Sequence, residues 1–167
     1  RYTHDIAAAT EHADLVFLAT PLGAMRGAFA ALAESLPPHA LVTDGGSAKG
    51  SVVADCRAVA PALLPRFVPG HPIAGTENNG VAASFVELYQ NRRVILTPLA
   101  ENSVNDVARI RAMWQACGAD VTEMSVAHHD EVLAATSHLP HMLAFGLVDM
   151  LARMKENDEI FRYAAGG

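Results

Sequence analysis

His71 lies between Gly70 and Pro72 in the stretch Pro69-Gly-His-Pro-Ile-Ala-Gly-Thr-Glu-Asn-Asn-Gly80. A proline disfavours the helical region for the residue before it, so His71 is expected to be extended. Gly70 lets another backbone or a ligand come close. An imidazole changes charge near neutrality, and one held on so stiff a corner can act as a base or hydrogen-bond acceptor. Its other reading is a capping or core histidine in a tight turn. A second candidate is Ser47, in Asp44-Gly-Gly-Ser-Ala-Lys49. Its hydroxyl and the N–H groups that open the following helix suit a cofactor amide or an anion, unless the serine is an ordinary N-cap. His128, His129, Asp130, His138 and His141 form a dense cluster. His138 and His141 are three apart and share a helix face. No Glu completes a zinc-helix pattern and no Cys is near, so we expect no metal. His138 and His141 read either as substrate donors or as polar helix-end residues between two domains. Lys49, Arg92 and Arg93 are candidate anion contacts that each, taken alone, read as solvated surface residues.

Those residues need elements to place them. Residues 14–20 form a continuous apolar run, read as a strand buried on both faces of a parallel sheet. Thr20 reads as an N-cap and Pro21 as the first helical residue. Leu22, Met25, Phe29, Leu32 and Leu36 recur at spacings of three and four, so a helix runs to about Ser35, where Pro37-Pro38 ends it. A strand over 40–44 follows, then a helix whose inward face is Val52, Val53 and Cys56. A strand over 66–68 leads into the histidine corner. Residues 80–89 read as a short helix or turn and residues 94–97 as a strand. A helix runs over about 103–117 with Gly118 at its end, and a last strand over 119–123. Alternating strands and helices at these lengths predict an α/β domain with a doubly wound parallel sheet. Loops at the carboxyl ends of such strands face the ligand crevice, so Thr20, Ser47 and His71 should share it. After Met124 the pattern turns helical: Ser125 caps one helix, and Leu139, Leu143, Leu147, Leu151 and Met154 lie on one side of another. The expected division is 1–124 and 125–167.

The 167 residues carry 12 Lys and Arg against 18 Asp and Glu, a net charge of −6. That balance argues against nucleic acid or an anionic membrane as partner. No apolar run approaches the roughly 20 residues that span a bilayer. Cys56 and Cys117 stand in no metal or redox spacing and fit a reducing cytoplasm. The Gly-x-Gly-x-x-Gly that normally opens a dinucleotide fold is not in the sequence, so either the fold is something else or the first βαβ unit lies before Arg1.

Five stretches together resemble the prephenate dehydrogenase family of tyrosine biosynthesis. They are Leu18-Ala-Thr-Pro21, Asp44-Gly-Gly-Ser-Ala-Lys49, Gly70-His-Pro-Ile-Ala-Gly-Thr-Glu77, Val94-Ile-Leu-Thr-Pro98 and Ser137-His-Leu-Pro-His141. The resemblance runs over nearly the whole chain, from after the family's glycine-rich loop to just before its substrate-binding arginine. It implies the later part of a Rossmann-like nucleotide-binding domain followed by the start of an all-helical dimerisation domain. It also implies NAD or NADP as cofactor, prephenate as substrate and a homodimer. By the same resemblance His71 is the catalytic histidine, which accepts the hydrogen bond and finally the proton of the ring 4-hydroxyl. Ser47 touches that histidine and the nicotinamide. His141 lines the substrate pocket with His138 nearby, Thr76 and Glu77 stand at its mouth, and Thr20 and Pro21 lie along the cofactor.

Three other readings are weighed against this one. Arogenate dehydrogenase has the same chemistry on an amino rather than a keto side chain. A regulatory or binding module would keep the fold without catalysis. A metal hydrolase would use the histidine cluster. The 167-residue chain alone is expected to bind nucleotide weakly or not at all and to show no turnover.

Overall fold

The computed structural model describes residues 2–76 and 80–164. They form two compact units, residues 1–130 and 131–167. In the first, a short helix α1 (Ile6–Thr10) is capped by Asp5, whose carboxylate accepts from the N–H groups of Ala7 and Ala8. Strand β1 (Leu15–Leu18) then leads through helix α2 (Leu22–Ser35) to β2 (Leu41–Asp44). β1 and β2 pair in parallel, with Leu18 opposite Asp44. Helix α3 (Lys49–Val59) and a 3-10 turn (Pro61–Arg66) follow. β3 (Gly70–Pro72), β4 (Arg93–Leu96), α4 (Val104–Ala116) and β5 (Asp120–Glu123) follow, and these three strands form a second sheet in the order β3-β4-β5, which a bridge between Val42 and Phe67 links to the first.

Alternation along the central strands shows why the domain is doubly wound. Val42 and Phe67 pack on Met25, Phe29, Val52 and Cys56 from α2 and α3. Their neighbours Leu41 and Val68 pack instead with Ile110 and Trp114 of α4. Successive strand residues point to opposite faces, so α2 and α3 cover one face and α4 the other. Burial pushes the Cys56 thiol up to about 12, which keeps it an inert core residue.

The structure corrects several expectations. The sheet is not wholly parallel: β3 runs antiparallel to β4, with His71 opposite Ile95, while β4 and β5 are parallel. A parallel return needs a long crossover. Between β3 and β4 the described residues hold only a 3-10 turn, Val81–Ala83, and an antiparallel return suffices. The strand expected over 66–68 reduces to a single parallel bridge between Phe67 and Val42, and the regular strand begins at Gly70. β1 is not buried on both faces. Phe17 is 37% exposed, because β1 pairs with β2 alone among the described strands. Thr20 does not cap α2. Pro21 occupies the N-cap position, and Thr20 Oγ donates to Met25 Sδ at 3.4 Å.

Helix α5 (Val126–Leu133) starts in the first unit, with the Ser125 hydroxyl accepting from His128 N at 3.2 Å. A single π turn (Ala134–His138) leads into α6 (Leu139–Ala152), and α7 (Asn157–Tyr163) ends the described chain. Among the described residues no helix is long and apolar enough to cross a membrane.

Candidate active site

The histidine corner is fixed from beneath by a buried ion pair. Asp44, the last residue of β2, accepts from Gly46 N at 2.8 Å, Gly70 N at 3.0 Å and Lys49 Nζ at 2.5 Å. Lys49 Nζ also donates to Gly70 O at 2.6 Å. Gly70 is thus held by both its N–H and its carbonyl, one residue before His71. Lys49 is therefore no solvated surface residue: both it and Asp44 are fully buried. Burial pushes the Lys49 pKa below its ordinary value, and the Asp44 charge opposes that shift. A side chain at position 70 would place its Cβ 3.1 Å from Asp44 O, a crowded contact against backbone that glycine avoids where the two strands approach.

The imidazole of His71 joins a second chain of contacts. Its Nδ1 lies 2.9 Å from Nε2 of His129, a fully buried residue of α5. His129 Nδ1 lies 2.8 Å from Asp130 Oδ1. Asp130 also accepts from Lys49 N and Gly50 N, each at 2.8 Å. The N-cap residue of α3 is Ala48, which has no side chain able to cap. Asp130 does that work from eighty residues along the sequence. The position of Gly50 follows from this, since a Cβ there would sit 2.7 Å from Asp130 Oδ2. Burial works against the Asp130 charge. The two backbone donors and His129 outweigh it, holding the carboxyl below its ordinary value.

A pH dependence follows. A carboxyl lowered in the folded state contributes stability that is complete above its ordinary value of 3.8 and is lost as pH falls through the folded value. Asp130→Asn is expected to flatten the loss of stability between about pH 5 and pH 3, read by urea unfolding. Equal slopes for the two proteins would contradict the cap.

The other predicted residues fall as follows. Ser47 is exposed in the turn after β2 and is not the N-cap. Among the described residues it makes no hydrogen bond to His71, whose Nδ1 faces His129 instead. Two of the helix N–H groups expected to hold a ligand, those of Lys49 and Gly50, are taken by Asp130. Thr20 is exposed after β1 and Thr76 after β3. Glu77 lies outside the described residues. In the second unit His138 is half-buried in the π turn, and His141 is exposed with Nδ1 2.9 Å from Ser137 O. Arg92 and Arg93 are exposed.

A parallel β1–β2 pair joined through α2, with α2 and α3 on one face and α4 on the other, is the doubly wound arrangement of a Rossmann-like fold. Residues 1–123 match the family described as prephenate dehydrogenase, nucleotide-binding domain, and residues 125–167 match its dimerization domain. The chain belongs to the prephenate dehydrogenase family. It is 43% identical over 166 residues to cyclohexadienyl dehydrogenase of Zymomonas mobilis, covering 98% of this chain and 56% of that protein. It is also similar to the structure of Aquifex aeolicus prephenate dehydrogenase in complex with hydroxyphenyl propionate and NAD+. There the TM-score is 0.88 and the identity 40%, over 99% of this chain and 57% of that one. Synechocystis arogenate dehydrogenase matches with a TM-score of 0.77 and 27% identity, over 96% and 58% of the two chains. The chain thus spans a little over half the length of these relatives.

Proposed function

We propose that the complete protein containing this chain oxidises prephenate to 4-hydroxyphenylpyruvate and carbon dioxide, with NAD as hydride acceptor, in the cytoplasm. The observation that carries this reading is the His71 imidazole, held by Gly70 beneath and by His129 at Nδ1, in a family member whose relative binds a hydroxyphenyl acid and NAD+. In this reaction a hydride leaves the ring carbon that bears the hydroxyl. The electron pair of the ring–carboxylate bond restores aromaticity as carbon dioxide departs. Bound NAD supplies the hydride acceptor. His71 accepts the hydrogen bond of the hydroxyl and so stabilises the positive charge that develops on that carbon. A neutral imidazole is required, because an imidazolium has no lone pair to offer.

Thr20, Pro21 and Ser47 would line the nicotinamide side. His141, with His138 nearby, and Thr76 and Glu77 would contact the substrate. Residues 1–124 would supply the nucleotide half and residues 125–167 the start of the helical half. NADP is the alternative cofactor. Arogenate is the alternative substrate, favoured by the likeness to the Synechocystis enzyme.

The test is NAD and NADP reduction by the complete polypeptide with prephenate and arogenate supplied separately. Turnover with prephenate is expected. Turnover with arogenate alone keeps the mechanism and changes the substrate. No turnover with either moves the protein to a binding module.

The complete protein is also expected to be a homodimer. Met142, Leu143 and Phe145 of α6 are 65–68% exposed, a large apolar surface for a chain in water. A monomer in equilibrium sedimentation at micromolar concentration would contradict this.

A further inference from the structure

His129 and Asp130 have no part in the reaction proposed above, yet they reach the His71 imidazole. We propose that His129, oriented by Asp130, is a positioning residue that sets the tautomer of His71. Hydrogen-bond chemistry along the chain leads to this. Asp130 already accepts from the N–H groups of Lys49 and Gly50, and these donors keep it a carboxylate. A carboxylate can only accept. The 2.8 Å contact with His129 therefore needs its proton on His129 Nδ1. A neutral imidazole protonated at Nδ1 has its lone pair at Nε2. His129 Nε2 is then the acceptor in the 2.9 Å contact, and His71 Nδ1 is the donor. A neutral His71 protonated at Nδ1 has its own lone pair at Nε2. That is the tautomer able to accept from a substrate hydroxyl through Nε2.

The N-terminus of α3 thus specifies the state of an imidazole on β3 through two intervening side chains. Full burial of His129 fixes its ring orientation. The same chain meets the charge of the reaction: as the substrate hydrogen bond strengthens, positive charge grows on His71, and the Asp130 carboxylate lies behind His129 to balance it. Among the described residues, Lys49 and Asp44 are the charged groups that adjoin this chain, and they neutralise each other. The catalytic consequence rests on the proposed dehydrogenase reaction, whereas the tautomer does not.

The complete polypeptide with nitrogen-labelled histidine is therefore examined by long-range proton–nitrogen correlation, with His71→Asn and His129→Gln assigning the two rings. Both rings are expected as the Nδ1–H tautomer. In Asp130→Asn the amide can donate to His129 Nδ1, which reverses the chain and moves His71 toward the Nε2–H form. His129→Leu is expected to lower kcat by about 10²-fold with little change in KM, because nucleotide and substrate contacts remain. His129→Gln, whose carbonyl can still accept from His71 Nδ1–H, is expected to recover part of that loss. A wild-type His71 in the Nε2–H form would overturn the proposal. So would a His129→Leu enzyme that folds and turns over normally. The expected tautomers without prephenate or arogenate turnover would leave the positioning role standing and remove the substrate reading.

Discussion

Replacing His71 by Asn in the complete protein is expected to lower kcat for prephenate oxidation by about 10²–10⁴-fold, the usual effect of losing a positioned acid–base group. Asparagine is close in size and can still donate toward His129 Nε2, so the corner should keep its shape. What it lacks is a basic nitrogen beside the substrate hydroxyl. Nucleotide binding should persist, because the proposed cofactor contacts belong to the loops after β1 and β2. Steady-state rates together with a nucleotide titration check both parts. A kcat within a few fold of wild type would remove His71 from the mechanism.

Lys49→Met is expected to destabilise the fold by about 3–5 kcal/mol, the usual result of breaking a buried ion pair from one side. Methionine fills most of the volume, so the effect isolates the charge. Asp44 would keep the N–H groups of Gly46 and Gly70 but lose its counter-charge. Gly70 O would lose its donor in the same step. Urea unfolding midpoints would show the effect. Asp44→Asn with Lys49→Met should recover part of the loss, because no buried charge remains. A single-variant effect under about 1 kcal/mol would mean that water reaches the pair and the clamp on Gly70 is weak.

The same clamp shows where the sequence was legible and where it was not. α2, α3 and α4 were readable because apolar residues at spacings of three and four leave few alternatives: Met25, Phe29 and Leu32 are all buried. The positions of β1, β2, β4 and β5 followed from apolar runs between breakers, whereas the strand expected over 66–68 begins instead at Gly70. Strand direction did not follow from them, because a three-residue strand at Gly70–Pro72 looks the same pointing either way. The helix start at Thr20-Pro21 was displaced by one position, since Pro21 takes the extended angles of a cap, with ψ of 148°. His71 was readable from its immediate neighbours. Its supports were not. Lys49 is buried only because Asp44 waits across the turn, and a lysine beside a glycine-rich turn gives no sign of that. Asp130 caps a helix that begins eighty residues earlier, a separation at which no spacing rule operates. His129 stood out as a member of a histidine cluster. Its pairing with His71 spans 58 residues, where no sequence spacing signals a contact.

The central claim is that His71 faces the substrate hydroxyl with a lone pair at Nε2. A crystal structure of the complete protein with NAD+ and hydroxyphenyl propionate tests it most directly. The ligand hydroxyl is expected within about 2.6–3.2 Å of His71 Nε2, with Nδ1 still on His129. A well-ordered ligand whose hydroxyl binds elsewhere, with His71 Nε2 turned away from it, would contradict the account.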